Sequence, residues 1–424
     1  MFGFGINLSA IALFRNLRRT KPSMRFFWLL FLCFLLPFSA LAQLGSITGK
    51  VVTKASKTPI PQASVFLSNS SFGTSTSGDG SFQLNKLRPG QYTLVVTSIG
   101  FQDYTQKIQV EEDQALNVEV NLVPKVVELR EVTISTNAKA DWRRNFEQFK
   151  KDFLGQDDNA KLCQILNPDV IYFTYHKKAL LLEAETEKFL VIDNHALGYR
   201  VKFLLKDFSS DGITEVIRYG GERLFEELPG SSAQKKVWQK ARDDAYYGSS
   251  MQFYRALYTD KLAEEGFEVH HLSRYLNPVR PSDQVLRQLI GKFKSLRMVD
   301  SANHWIEIAN MSKYYMDKVT QTPYASFELL RPTQTPGVYA MAFSNYLYVM
   351  YTKKRDETNY KDVFRPLDMP NYEISVITLP SSPGAAIFDK NGIVINGEPL
   401  YEGTWSKSRL SQLLPVDYVP SEKR

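Results

Sequence analysis

The sequence predicts an N-terminal all-β sandwich of about seven antiparallel strands, followed by a larger α+β domain with a mainly antiparallel sheet. Two patterns support this fold class. Between residues 45 and 122, apolar and polar residues alternate along short runs, which is typical of strands with one buried face. After residue 140, some segments repeat apolar residues every three or four positions and others alternate, so helices and strands are mixed.

The strands of the sandwich are predicted from alternation and from the turns between runs. The clearest strand carries Leu116, Val118, Val120 and Leu122 at alternate positions. Glycine and proline interrupt the runs at residues 59–61, 77–80, 89–90 and 99–100, at the short spacing expected of an antiparallel sandwich.

The larger domain is predicted to begin with a helix. Aromatic residues recur at helical spacing from Trp142 to Phe153, and Gly155 ends this helix. Asp158 is predicted to cap a second short helix. Strands are then predicted over 170–175, 179–185, 189–193, 199–207 and 214–219, helices near 232–246, 249–265 and 282–290, and strands again over 338–351 and 372–379.

A secretion leader is predicted at the N-terminus. Basic residues precede Phe26–Phe38, an apolar run of 13 residues that ends near Ala42. This order describes a signal peptide cleaved after Ala42, and the run is shorter than the ~20 residues that span a bilayer. Met24 is an alternative start. The predicted boundaries are therefore a leader over 1–42, a sandwich over 43–124, a linker over 125–139 and an α+β domain over 140–424.

Charge and cysteine content exclude several classes of protein. The chain has 52 Lys and Arg against 45 Asp and Glu, and removing the five leader bases leaves 47. The balance gives no support for a nucleic-acid or anionic-membrane footprint. Only Cys163 would survive processing, which excludes an intramolecular disulfide and a thiolate metal cluster. Because it lies among leucine and isoleucine residues, Cys163 is predicted to be a buried, inert thiol.

The residues of the sandwich segment also resemble a known module. The matching pieces are Gly49-Lys50-Val51, Pro61-x-Ala63-x-Val65, Gly80-x-Phe82, Pro89-Gly90-x-Tyr92 and Gly100-Phe101. They resemble the carboxypeptidase-regulatory-like domain, a transthyretin-like β-sandwich that begins many exported Bacteroidota proteins, including TonB-dependent transporters of the outer membrane. The resemblance implies this fold and an envelope location, in the periplasm or at the outer membrane. It implies no reaction, because the module occurs on proteins of many activities.

The rest of the chain resembles the C-terminal part of uncharacterised Bacteroidota envelope proteins that begin with the same module. The matching pieces include Phe153-Leu154-Gly155, Asn194-x-x-Leu197-Gly198-Tyr199, Tyr246-Tyr247-Gly248-Ser249 and Gly403-Thr404-Trp405-Ser406. This resemblance also implies an envelope location, and it implies no catalytic activity.

Histidine offers few metal ligands. His304 and Glu307 reproduce half of a zinc carboxypeptidase motif, but no histidine follows His304, so that activity is rejected and a strand is predicted there. His176, Asp193 and His195 are weaker candidates for a metal or an acid–base pair, against the alternative that Asp193-Asn194-His195 begins a hairpin turn. No metal and no cofactor are predicted.

One helix face offers a candidate ligand site. Tyr247, Tyr254 and Tyr258 share a face with Met251, and Arg255 borders them. Exposed tyrosines stack on sugars or peptides and hydrogen-bond through their hydroxyls, with Arg255 as a charge-assisted donor. The alternative is that the stripe packs on the sheet, as aromatic stripes at helical spacing usually do.

Two functions remain open at this point. The first is a non-enzymatic envelope protein that binds a polymer, a peptide or an envelope partner such as a TonB-dependent transporter system. The second is an exported hydrolase of glycans or peptides whose carboxylates are dispersed in the sequence, since paired carboxylates leave no linear signature. Neither function involves nucleic acid, nor a transmembrane helix after signal cleavage.

Overall fold

The computed structural model describes residues 44–125, 138–356, 364–365, 370–380, 384–397 and 399–421. The predicted leader and its cleavage site lie outside these residues, as does most of the predicted linker. The first helix of the larger domain already begins at Ala138, inside the end of that linker. Across the described ranges, the helices are all too short or too polar to cross a membrane.

Seven strands form the N-terminal sandwich, as predicted. They are β1 (Gly45–Thr53), β2 (Ser64–Leu67), β3 (Gly73–Ser75), β4 (Ser81–Leu87), β5 (Gly90–Thr97), β6 (Tyr104–Val110) and β7 (Ala115–Leu122). One sheet has the order β4-β1-β7 and the other β3-β2-β5-β6. The alternate apolar residues of both sheets, such as Ile47, Leu94 and Val120, meet in a shared core. One pair departs from the predicted antiparallel arrangement, because β1 and β7 run parallel.

A six-stranded antiparallel sheet begins the larger domain. Its elements are α1 (Ala138–Leu154), α2 (Asp158–Lys161), β8 (Cys163–Ile165), β9 (Ile171–His176), β10 (Leu181–Thr186), β11 (Leu190–Asn194), β12 (Tyr199–Asp211) and β13 (Ile217–Glu227). The strand order is β8-β11-β12-β10-β9, with β13 paired to β12. The aromatic stripe of α1 packs on this sheet, where Phe149 and Phe153 are fully buried against Phe208. Gly155, at φ 103°, ends the helix as predicted.

The second half of the domain adds two further antiparallel sheets. Its helices are α3 (Ser232–Tyr246), α4 (Ser250–Tyr258), α5 (Leu262–Glu265), α6 (Asp283–Ser295), α7 (Val299–Ala309), α8 (Ser326–Leu329) and α9 (Thr404–Lys407). Its strands are β14 (Phe267–Leu276), β15 (Tyr314–Val319), β16 (Leu330–Pro332), β17 (Val338–Met341), β18 (Tyr346–Arg355), β19 (Tyr372–Thr378), β20 (Ala386–Asp389), β21 (Val394–Asn396) and β22 (Leu400–Gly403). The sheets have the orders β15-β14-β18-β19-β22 and β16-β17-β20-β21. The predicted α+β class with mainly antiparallel sheets is confirmed.

Two local predictions were wrong. His304 lies in helix α7 rather than in a strand, because Ala302 and Ala309 are buried at helical spacing and Trp305 packs beside them. Asp157, not Asp158, caps α2, since its carboxylate accepts a hydrogen bond from the backbone N–H of Ala160 at 2.7 Å. The sequence predicts that this helix carries Leu162, Ile165 and Leu166, but it ends at Lys161 and strand β8 follows.

Candidate functional site

A cleft lies where the sandwich meets the larger domain. Its volume is about 240 Å³, a small site for a ligand. The sandwich contributes the start of β5 and the residues at the end of β6. The larger domain contributes the end of α4, the start of β17 and the end of β20. The lining side chains on which the site depends are Gln109, Glu111, Glu112, Tyr258, Asp389 and Lys390.

The inner wall of the cleft is a direct contact between the backbone of the sandwich and side chains of the larger domain. The backbone N–H of Gln91 donates to Asp389 Oδ2 at 3.0 Å. Beside it, Gly90 has φ 154°, and a Cβ atom there would lie only 2.7 Å from Asn391 Nδ2. Glycine is therefore required at residue 90 both for its backbone conformation and for this close approach.

Asp389 is the buried acid at the base of the cleft. Its side chain accepts hydrogen bonds from the backbone N–H of Gln91 and from both the backbone and the side-chain nitrogen of Asn391, at 2.9–3.0 Å. Burial raises the pKa of this carboxyl group, and the three hydrogen bonds oppose the rise. Because its oxygen atoms are occupied by these donors, Asp389 fastens the sandwich to the larger domain.

Tyr258 forms the aromatic wall of the cleft. It ends helix α4, is half-buried, and its ring meets that of Tyr339 edge-on, with the ring centroids 5.4 Å apart. Burial raises the pKa of its phenol. Among the described residues no group hydrogen-bonds to the Tyr258 hydroxyl, so this hydroxyl is available to donate to or accept from a ligand.

The rim of the cleft is polar. Gln109, Glu111, Glu112 and Lys390 are all exposed at its edge. An aromatic wall with amide, carboxylate and ammonium groups around it is suited to a chain that presents both apolar faces and hydrogen-bonding groups, such as a peptide or a glycan.

The other three residues of the predicted ligand site lie apart from the cleft. Tyr254 is 1% exposed, and its hydroxyl lies 3.1 Å from that of Tyr401. Tyr247 is half-buried at the end of α3, and its hydroxyl donates to the carbonyl of Ser421 at 3.2 Å. The three tyrosines therefore do not form one exposed stripe, because the face that they share packs into the domain at its centre.

Arg255 is committed to the backbone of the C-terminal segment. Its three guanidinium nitrogens donate to the carbonyls of Asn391, Val416 and Tyr418 at 2.8–3.0 Å. The guanidinium also lies over the ring of Tyr246, 5.4 Å from the centroid. A side chain with each of its three nitrogens bound to a carbonyl anchors the C-terminal segment rather than offering a free donor group to a ligand.

The weak metal candidates are not brought together. His176 lies on β9 and contacts Glu183 at 2.6 Å, whereas β11 carries Asp193 three strands away in the sheet. Asp193 binds Arg200 through two hydrogen bonds of 2.7 and 2.8 Å, and this contact lowers the pKa of its carboxyl group. His195 is exposed in the turn between β11 and β12. The segment is therefore a hairpin turn, the alternative to a metal or acid–base site. Among the described residues, His, Cys, Asp and Glu form no group that could hold a metal ion.

One further cluster contains two facing carboxylates. Arg274 on β14 binds both carboxylate oxygens of Glu402 through Nη1, at 2.7 and 2.9 Å, and lies 3.5 Å from Asp317. The rings of Tyr314 and Tyr346 flank the guanidinium at 4.8 and 4.9 Å. Both acids thus lie beside one buried cation, Glu402 in hydrogen bonds to it and Asp317 in an ion pair without one, and the cluster links β14, β15 and β22.

Cys163 is half-buried, and its thiol donates to the carbonyl of Asn159 at 3.4 Å. Burial raises its pKa to about 12. The thiol is therefore protonated at neutral pH and is a poor nucleophile, in agreement with the inert role predicted.

Comparison with known proteins identifies the N-terminal part. Residues 47–134 match the model of the CarboxypepD_reg-like domain. No curated protein matches the chain. Among solved structures, the chain is similar to a protein of unknown function from Bacteroides fragilis, at 11% identity over 85% of this chain and 93% of that chain, with a TM-score of 0.16.

Two pilus proteins are also similar to about a fifth of the chain. The pilus 2b backbone protein of group B streptococcus is 19% identical over 19% of this chain, with a TM-score of 0.17, and a minor pilin of Streptococcus agalactiae is 15% identical over 22%, also at 0.17. The chain spans 41% and 47% of the length of these two proteins. The N-terminal sandwich is thus identified, through the match at residues 47–134, as a CarboxypepD_reg-like domain.

Proposed function

We propose that this protein is exported to the cell envelope and acts there by binding, with a peptide or glycan chain of an envelope partner held in the cleft between the sandwich and the larger domain. The observation that carries the proposal is Tyr258, a half-buried tyrosine that lines a cleft of about 240 Å³ with a polar rim. The CarboxypepD_reg-like domain supports the envelope location. A TonB-dependent transporter system is the partner that the module suggests.

The positions of the possible catalytic groups favour binding over hydrolysis. Asp389 is occupied by three nitrogen donors, and Asp317 and Glu402 share the Arg274 guanidinium. A retaining or inverting glycosidase instead needs two carboxyl groups that face the substrate, one of which transfers a proton. Burial raises the pKa of Asp317, as a general acid requires, but neither Asp317 nor Glu402 lines the cleft.

The test uses an array of short glycans and of unstructured peptides, probed with the exported protein. We expect at least one class of probe to bind, and Tyr258→Ala to weaken that binding about tenfold or more, since a central aromatic contact dominates small interfaces. Tyr258→Phe separates the hydroxyl from the ring. Tyr315→Ala is the matched control, because Tyr315 is an exposed tyrosine on β15, outside the cleft.

Two results would contradict the proposal. The first is that no member of the array binds the wild-type protein. The second is that Tyr258→Ala binds the same probes as tightly as the wild type, which would place the binding surface elsewhere. Release of shortened glycans or peptides from the array would instead support the hydrolase alternative.

A further inference from the structure

The helical hairpin α6–α7 has a buried apolar base and an exposed connecting segment. In the sequence it lies between β14 and β15. In the structure its apolar face packs on the turns of the six-stranded sheet. Leu286 and Ile290 are fully buried there against Ile213. Arg287 pairs with Asp211 across this contact. The orientation of the hairpin, and of the tip between its two helices, is therefore fixed by the domain core.

The tip of the hairpin exposes apolar side chains. Every residue from 295 to 300 is exposed, and Leu296, Met298 and Val299 are 57%, 47% and 66% exposed. Three neighbouring apolar side chains at the tip of the hairpin form an exposed apolar patch, and contiguous patches of this kind mark sites of interaction with a protein or a membrane. Such a patch indicates a surface that is covered in use.

Basic residues surround this tip. Between residues 292 and 300, Lys292, Lys294 and Arg297 are present against one acid, Asp300. This local excess is hidden in the balance of charges over the whole chain, where acids elsewhere compensate for it.

A basic groove lies directly beside the tip. Its volume is about 410 Å³, and it is bounded by α1, the turn between β9 and β10, and the end of α6. The side chains that matter here are Arg144, Tyr175, Lys177, Lys178, Leu180 and Lys294. Lys294 and Ser295 line the groove and lead straight into the exposed tip, so groove and tip form one continuous surface.

The charges of the groove are mostly uncompensated. Arg144 pairs with Asp141 at 3.0 Å, whereas Lys177, Lys178 and Lys294 make no ion pair within the described part of the chain. Partial burial lowers the pKa of Lys294. Cations that converge on one groove repel each other, and a bound anion relieves that repulsion.

We propose that the α6–α7 tip and the adjacent basic groove form a docking surface for an anionic lipid membrane. Leu296, Met298 and Val299 enter the boundary between headgroups and acyl chains, while the lysines of the groove bind lipid phosphate groups. A soluble phosphate or an acidic polysaccharide would account for the bases but not for the apolar tip. A lipid surface accounts for both, since peripheral membrane proteins combine apolar insertion with attraction to anionic headgroups. This inference is independent of the proposed cleft function.

The experiment measures sedimentation of the exported protein with phosphatidylcholine vesicles that contain or lack phosphatidylglycerol. We expect binding to the anionic vesicles only. Replacing Leu296, Met298 and Val299 with serine leaves the charge unchanged and should weaken binding about tenfold or more. The double variant Ile99→Ser, Phe327→Ser is the control, because both side chains are exposed outside this surface.

A second variant tests the groove. Lys177→Gln combined with Lys178→Gln should weaken binding about 25-fold, since each base near an anionic surface contributes about fivefold. Lys236→Gln combined with Lys240→Gln removes the same charge from exposed positions on α3 and should change binding little. Because all variants share one N-terminal segment, any contribution from that segment is common to them.

Three outcomes would overturn the proposal. Equal binding to vesicles with and without phosphatidylglycerol would exclude recognition of anionic headgroups. Unchanged vesicle binding by both groove and tip variants would place the contact elsewhere. Binding to dissolved dextran sulfate that matches vesicle binding and survives the serine substitutions would identify an acidic polysaccharide as the ligand. Circular dichroism of each variant establishes that loss of binding is not loss of folding.

Discussion

Asp417, near the C-terminal end of the described chain, accepts hydrogen bonds from both the backbone N–H and the hydroxyl of Ser71 in the sandwich, 346 positions away. The neighbouring residue extends the contact, since the backbone N–H of Val416 donates to the carbonyl of Asn69 at 2.7 Å. Val416 also packs in the core of the sandwich. The last residues of the chain thus fasten the CarboxypepD_reg-like domain to the larger domain.

We therefore predict that Asp417→Ala destabilises the protein by about 1 kcal/mol, the usual net contribution of a hydrogen bond, because the Ser71 donors are exposed and water can replace the carboxylate. The measurement is chemical denaturation followed by tryptophan fluorescence and circular dichroism. Asp244→Ala, at an exposed position on α3, is the control and should lie within about 0.5 kcal/mol of the wild type. Equal stability of the two variants would show that the Ser71 contact contributes nothing.

Much of the architecture could be predicted because its causes are local. The aromatic spacing from Trp142 to Phe153 predicts α1, and alternation predicts the strands on both sides of the turn at residues 195–198. The helix α7 was missed because a short apolar run fits a strand or a helix equally well, and only the burial of Ala302 and Ala309 shows which period applies.

The candidate site was harder to predict because its contacts join distant parts of the chain. Tyr258 was recognised as a ligand-binding candidate, but the cleft beside it is made by residues near 90, 110 and 390. The carbonyls that occupy Arg255 belong to residues more than 130 positions away and leave no signal in composition or spacing. The same holds for the basic groove, where three separate elements contribute one or two bases each.

The Asp193–Arg200 pair predicts a specific pH dependence of stability. The hydrogen bonds from Arg200 lower the pKa of Asp193 in the folded protein below its ordinary value of 3.8. A carboxyl group with a lowered folded pKa stabilises the fold while it is ionised, so this contribution is present above that ordinary value and is lost as the pH falls through the folded pKa. Asp193→Asn should therefore lose less stability on acidification than the wild type.

The measurement is urea denaturation at a series of pH values from neutral to acid. Asp244→Asn serves as the reference, because Asp244 is exposed and its substitution removes the same formal charge. Identical pH profiles for Asp193→Asn and the wild type would show that this pair does not contribute to the acid sensitivity of the fold.

The proposed export predicts a defined mature N-terminus. Because the apolar run Phe26–Phe38 ends close to the small residues before Gln43, we expect the protein recovered from the envelope fraction to begin at Gln43 and to be released without detergent. Edman sequencing or mass spectrometry of the N-terminal peptide gives the result. A mature chain that still contains Phe26–Phe38 and needs detergent for extraction would show that the segment is an anchor.

Two glycines provide a matched test of the packing around the β11–β12 turn. Gly198 has φ 70°, and a Cβ atom there would lie 2.1 Å from Cδ2 of Trp238, whose indole N–H donates to the carbonyl of His195 at 2.9 Å. Gly198→Ala therefore combines an unfavourable backbone conformation with overlap against a buried ring, and we expect a loss of about 2 kcal/mol or more in the free energy of unfolding.

Gly78 lies in a turn of the sandwich where a Cβ atom would meet nothing within 4 Å, so Gly78→Ala should change stability by less than about 0.5 kcal/mol. Thermal or urea denaturation compares the two variants directly. If Gly198→Ala were as stable as Gly78→Ala, Trp238 would have to move away from the turn at little cost, and its contact with His195 would not hold α3 against the six-stranded sheet.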